Sequence, residues 1–118
     1  MKVTLQWQKP IMEYDIINDK YYPSKEDRDS IFLEVTVKGL SETESYEYIT
    51  RLENAINQSN IAYYGKVSFG RCSAYGDVED GALSDFCGWK RNFGMVKEQK
   101  REIMQDVRQI CKALSKEY

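Results

Sequence analysis

The stretch IFLEVTVK, Ile31 to Lys38, most constrains what this chain can fold into. Ile31, Leu33, Val35 and Val37 alternate with Phe32, Glu34, Thr36 and Lys38, a period of two that gives a strand one continuous apolar face. Gly39 and Leu40 close the run, and SETE follows at once. There Ser41 can accept from the Glu44 amide while the Glu44 carboxylate reaches back, a capping box that starts a helix. The helix is predicted to run to about Gln58, burying Ile49, Leu52 and Ile56 with Tyr48 and Ala55 beside them, and Glu42, Glu44 and Glu47 suit the positive end of its dipole.

Four further stretches carry clear patterns. Lys2 to Gln8 alternates with Val3, Leu5 and Trp7 on one side, and after Pro10 the segment Ile11 to Ile17 puts Met12, Tyr14 and Ile16 on a common face. Their closeness in sequence predicts an antiparallel pair, with Pro10 near an edge. Asn18 to Ser30 reads as a charged, solvated loop, a contact surface at Tyr21 and Tyr22 being the less ordinary alternative. Ile61 to Phe69 reads as a strand whose Gly65 marks a bulge or a close backbone approach. Arg71 to Trp89 is predicted to form a hairpin turning around Val78 to Gly81, with Cys72 near Cys87. From about Met95 to Ser115, Val96, Ile103, Val107, Ile110 and Leu114 follow helical spacing, with Met104 and Cys111 flanking the stripe.

At 118 residues this is one domain, residues 1–118. The expectation is an α+β fold of order β-β-β-α-β-β-α, a mainly antiparallel sheet with two helices packed on one face. No apolar run approaches the roughly 20 residues that cross a bilayer, and MKVTLQWQKP lacks a continuous apolar signal region, so a cytoplasmic protein is expected. Three cysteines, an odd number without zinc-site spacing, fit reduced thiols there, a Cys72–Cys87 bond being the alternative.

The chain contains no histidine, which removes the commonest general base and the usual Ser-His and Cys-His pairs. It also lacks the phosphate loop, the dinucleotide fingerprint and the nucleophile elbow. A non-enzymatic protein without a cofactor is therefore expected. Asp77, Glu79, Asp80 and Asp85 bunch their carboxylates as a calcium loop does, but the twelfth residue from Asp77 is Gly88 where an EF-hand needs glutamate. No metal site is expected, and the segment reads as a polar hairpin tip.

Charge is divided unevenly. Residues 1–59 hold seven Lys or Arg against eleven Asp or Glu, whereas residues 60–118 hold ten against eight. Two contact surfaces follow from this. The acidic one comprises Tyr75, Asp77, Glu79, Asp80 and Asp85, with Trp89 as an anchor. Lys90, Arg91, Lys97, Lys100 and Arg101, interleaved with Trp89 and Phe93, form the alternative, an RNA-contacting set.

The segments LEVTVKGLSETESYEYITRLENAI and SNIAYYGKVSFG, followed by the helix beginning VKEQKREI, resemble the small bacterial YggL-type family, described as associated with the large ribosomal subunit. The resemblance covers about two thirds of the chain and implies the fold. The head MKVTLQWQKPIMEYDII and Tyr64-Gly65-Lys66 depart from that family's pattern, so no ribosome-contacting residues carry over. In profile alone, as a small, acidic, histidine-free α+β chain rich in tyrosine, the sequence is similar to the immunity proteins that bacteria make against delivered toxins, including contact-dependent inhibition systems. That similarity implies stoichiometric protein binding, with carboxylates meeting a toxin's basic cleft. A ribosome- or RNA-associated protein is the alternative expectation.

Overall fold

A computed structural model describes residues 1–61, 65–74 and 81–118, with the side chains of residues 26 and 27 set aside. Along the chain run β1 (Lys2–Trp7), β2 (Met12–Asp15), β3 (Lys20–Pro23), α1 (Lys25–Asp29), β4 (Ser30–Lys38), α2 (Glu42–Gln58), β5 (Ser68–Ser73), β6 (Ala82–Lys90) and α3 (Val96–Ser115). One antiparallel sheet has the order β1-β4-β6-β5, and β2 and β3 form a separate two-stranded sheet. The α+β architecture with both long helices on one sheet face is as the alternation and capping signals predict.

β4 is the hub of the sheet. It pairs with β6 from Ser30↔Lys90 to Lys38↔Ala82 and with β1 from Lys2↔Lys38 to Trp7↔Leu33. Directly opposed residues of an antiparallel ladder share a face. Ile31, Leu33, Val35 and Val37 therefore line up with Leu83, Cys87 and Trp89 of β6, and all are buried against Tyr48, Ile49, Leu52 and Ile56 of α2 and Ile103, Val107 and Cys111 of α3. Each fully buried aliphatic side chain contributes about 1.5–3 kcal/mol relative to exposure.

The predicted capping box is present: the Glu44 amide donates to Ser41 Oγ at 3.1 Å, and the Ser41 amide to Glu44 Oε1 at 3.4 Å. Buried Tyr48 ties the two helices together, its hydroxyl donating to the Cys111 carbonyl at 2.9 Å and lying 3.0 Å from Ser115 Oγ. Burial pushes this phenol far above its ordinary value.

Three local expectations change, and the reading of Gly65 is decided. β1 pairs with β4 and not with β2, because matching Val3, Leu5 and Trp7 with Val37, Val35 and Leu33 sends both apolar rows under the helices. The segment read as a loop from Asn18 to Ser30 contains β3 and α1. Of the strand placed at Ile61–Phe69, residues 62–64 lie outside the described residues, Ile61 is in a 3-10 turn, and the described strand begins at Ser68. Gly65 is a point of close backbone approach: with φ +127, its position would put a Cβ 2.5 Å from Lys90 Cβ.

The β5–β6 hairpin exists, but Cys72 faces Ser84, and Cys87 faces Phe69. That odd displacement of three positions puts the two sulfurs on opposite sheet faces, since successive side chains alternate. All three cysteines are free. Burial raises Cys87 strongly and Cys111 to about 11, whereas Cys72 is exposed. Thiolate is the reactive form, so a maleimide at pH 7.5 should modify one cysteine, Cys72, in the folded protein and three after denaturation. Peptide mass mapping reads this directly, and fast modification of Cys87 would contradict the register.

Candidate functional site

Between β1 and β4 the chain leaves the main sheet, builds the β2–β3 hairpin and returns through α1. Met12 faces Pro23, Glu13 faces Tyr22, Tyr14 faces Tyr21, and Asp15 faces Lys20. One face is thus apolar and aromatic, the Tyr14 and Tyr21 rings lying 5.0 Å apart at 46°. Charged side chains flank Tyr22 on the other face. A two-stranded ribbon outside a larger sheet is marginally stable in water and needs local support.

The turn supplies that support. Asp15 Oδ1 accepts from the Ile17 amide at 3.0 Å and the Asn18 amide at 3.4 Å, and Asp15 Oδ2 accepts from Asn18 Nδ2 at 2.7 Å. The Asn18 side-chain bond first, opposed by desolvation and then aided by the two amide bonds, holds the Asp15 carboxyl below its usual value. Asp19 takes φ +51, a left-handed conformation that Asp tolerates. Its carboxylate accepts from the Tyr14 hydroxyl and raises that phenol.

The arm's surface is out of keeping with a solvated turn. Ile16 is 83% exposed, Ile17 93% and Tyr21 70%, and Ile11, Met12, Tyr14 and Tyr22 are also exposed. β-Branched residues gain nothing from a turn, whereas Gly, Asn, Asp and Ser do. Clustered exposed apolar side chains edged by charge are characteristic of protein contact sites, and tyrosine is enriched in their energetic centres. Glu13, Asp15 and Asp19 give the arm an acidic rim, with Lys20 as counterweight.

The residues nominated from sequence fall in several places. Tyr75, Asp77, Glu79 and Asp80 lie outside the described residues. Asp85 and Trp89 are each 0% exposed and face the helices, so neither offers itself as a surface contact. The alternation Leu83, Asp85, Cys87, Trp89 dictates this: every second residue of β6 faces the core, and Asp85 follows the strand's phase despite its charge. Lys90 and Arg91 reach a groove at the sheet's end, whereas Lys100 lies 5.4 Å over the Trp7 ring and lines, with Arg101, a second groove between α3 and β1. The proposed basic set is therefore two patches and not one. Lys97 is exposed in the first turn of α3.

No local pattern signals the acid cluster around Asp85. Arg71, its partner across the ladder, forks onto Glu53 of α2, with Nε 3.1 Å from Oε2 and a terminal nitrogen 2.7 Å from Oε1, and also donates to Thr50 Oγ1 at 3.1 Å. Burial would raise Glu53, but the Arg71 guanidinium and the neighbouring Asp85 outweigh it and hold Glu53 low, while both Asp85 oxygens are buried without a hydrogen-bond partner among the described residues. Asp85 takes the opposite course. Burial first, then the neighbouring Glu53 carboxylate, raise it to about 8 against the pull of Arg71. Two carboxyls beside one arginine thus share the load unequally: Glu53 carries the charge and Asp85 keeps the proton. The cluster pins α2 to the edge strand. Among the described residues, no group of three His, Cys, Asp or Glu side chains is arranged to hold a metal ion, and no helix is long and apolar enough to cross a membrane.

Comparison of the chain with protein-family models, with curated proteins and with solved structures gives no match.

A pH dependence follows from Asp85. Its folded-state pKa lies above the unfolded value, so its contribution to stability is complete below about pH 4 and is lost as pH rises towards 8. Glu53, shifted down, acts only on the acid side of its ordinary 4.5. Between pH 5 and 8 the wild-type urea midpoint should therefore fall, and D85N, which carries no charge at any pH, should flatten that slope and be the more stable protein at pH 8. Parallel slopes for the two proteins would refute a neutral Asp85.

Proposed function

We propose that this domain acts by stoichiometric binding to a protein partner, reached through the β2–β3 arm, and that the partner is a bacterial toxin domain. The observation that carries the reading is the arm tip, where Ile16 and Ile17 stand almost fully in water on a turn that does not need them. Burying two such side chains in a partner's pocket is worth about 1.5–3 kcal/mol each before the costs of association. Tyr14 and Tyr21 add a rigid aromatic surface with few rotatable bonds.

The choice of partner rests on charge and profile. The acidic rim of Glu13, Asp15 and Asp19 complements a cleft built for an anionic substrate, such as that of a nuclease toxin, and would speed capture at low ionic strength. Covering such a cleft asks for surface chemistry and no turnover, in keeping with a chain devoid of histidine. On this reading the toxin is met and neutralised in the cytoplasm, as in contact-dependent inhibition. The carboxylates at Asp77, Glu79 and Asp80 belong to the same proposal as a second acidic contact.

Serine at both tip positions, I16S/I17S, tests the arm. Because both side chains are already solvated, the thermal midpoint should stay within about 2 °C of wild type, whereas affinity for the toxin domain that the wild-type protein captures should fall more than tenfold by titration calorimetry. Reversal of Glu13 and Asp15 to lysine should slow association more than it speeds dissociation, and the difference should shrink in high salt. Undiminished affinity of the tip variant would remove the arm from the interface.

A further inference from the structure

The two long helices, α2 and α3, pack on one face of the main sheet. On the other, the register sets out four cross-strand rows: Gln8, Phe32, Gly88 and Ser68; then Gln6, Glu34, Phe86 and Gly70; then Thr4, Thr36, Ser84 and Cys72; and finally Lys2, Lys38 and Ala82. Each central strand contributes one phenylalanine, Phe32 from β4 and Phe86 from β6, both half-buried. They are diagonal neighbours, about 7–8 Å apart at the backbone.

Around these rings the floor is low. A Cβ at Gly88 would sit 2.7 Å from the Phe32 ring, so that ring lies across the glycine, and a Cβ at Gly70, beside Phe86, would meet nothing within 4 Å. Covering a cross-strand glycine is enough to explain the Phe32 ring but not Phe86, which leaves Gly70 open. It does not explain the charge that borders them.

Lys2 and Lys38 are direct partners in the ladder, and like charges directly opposed across strands repel. At the other end, a groove of about 660 Å³ is lined by Phe32, Lys25, Lys66, Lys90, Arg91 and Phe93, with Asp29 as its acidic member. The loop carrying Lys90 to Phe93 is held in place: Gln99 Nε2 donates to the Lys90 carbonyl at 2.8 Å, the Asn92 amide to Gln99 Oε1 at 3.0 Å, and the Arg91 amide to the Asp29 carbonyl at 2.9 Å. The Arg91 guanidinium stacks 5.3 Å from the Phe93 ring centre, and its buried Nε has no partner among the described residues. On the sheet positions of this face the one carboxylate, Glu34, is engaged by Gln8 Nε2 at 2.6 Å and Thr36 Oγ1 at 3.5 Å.

We propose that this uncovered face binds single-stranded nucleic acid, with bases stacking on Phe86 and Phe32 and phosphates held by Lys66, Lys90 and Arg91 at one end and Lys38 at the other. Rings spaced for neighbouring unstacked bases, a floor lowered beside them by Gly88 and Gly70, and cations at both ends are the parts that sequence-tolerant single-strand binding requires. A duplex hides its base faces and has no use for the rings. The face is separate from the arm and stands or falls independently of it.

The test uses the full chain at 50 mM salt, with fluorescence anisotropy of a twelve-nucleotide oligouridylate, the matching oligothymidylate and a duplex of the same length. Binding of a single strand, weaker duplex binding and protection of Cys72 from maleimide by the bound strand are expected. Phe86→Ala should weaken single-strand binding about tenfold, the loss of one stacked base. The K66E/K90E/R91E variant should abolish it and flatten its salt dependence. Both variants are to keep the wild-type circular dichroism, and Lys38→Glu, at the far end, gives a second reading should the triple variant fail to fold. I16S/I17S should bind the oligonucleotides as wild type does, which separates this result from the fate of the arm. A tighter complex with oligouridylate or with oligothymidylate identifies which single strand the face takes. Absence of binding to both, or binding that Phe86→Ala leaves unchanged, would overturn the proposal, as would a preference for the duplex.

Discussion

The ladder between β4 and β6 is the constraint on which everything else rests. Nine consecutive residue pairs, Ser30↔Lys90 to Lys38↔Ala82, fix which side chains of both strands meet the helices. Because the side-chain period is two, a slip of one residue would expose Leu33, Val35 and Val37 together and bury Glu34 and Lys38. Burial of that row selects the register, and the register in turn sets Phe32 beside Gly88, Lys90 beside Ser30 and Asp85 beneath α2.

Asp85 shows how firmly the ladder dictates. A carboxyl in the middle of an apolar strand face would be costly if ionised, yet the strand's phase leaves it no other direction. The protein accommodates it by keeping it protonated against Glu53 while Arg71 satisfies the charge on Glu53. A polar junction of this kind adds little stability compared with apolar packing. It does specify which edge of the sheet α2 docks on, since Thr50 and Glu53 must meet Arg71.

Features governed by short-range rules were legible in the sequence. The period of IFLEVTVK, the Ser41–Glu44 box and the helical spacing from Val96 to Leu114 depend on neighbours a few residues apart, and each appears where those rules place it. Features set by pairing over distance were not. Nothing near Cys72 says that Ser84 and not Cys87 lies opposite, and nothing near Lys2 says that β4, beyond an intervening hairpin, is its partner. Asp85 and Trp89 looked like surface residues because their neighbours are polar or glycine, but position within a strand decided their burial. The arm escaped notice because Ile16 and Ile17 match strand propensity, and the Asp15, Asn18 and Asp19 contacts that turn the chain there emerge only in three dimensions.

The arm forms a sheet of its own, and its supporting hydrogen bonds close within residues 14–19. Substitutions at Ile16, Ile17 or Tyr21 therefore leave the packed interior between sheet and helices untouched. Proteins usually balance new contacts against folding stability, because most changes that alter a surface also disturb what lies beneath it. Here the two are mechanically separate. A lineage carrying this domain is free to rewrite the exposed surface of the arm in a few steps while the rest of the molecule stays as it was.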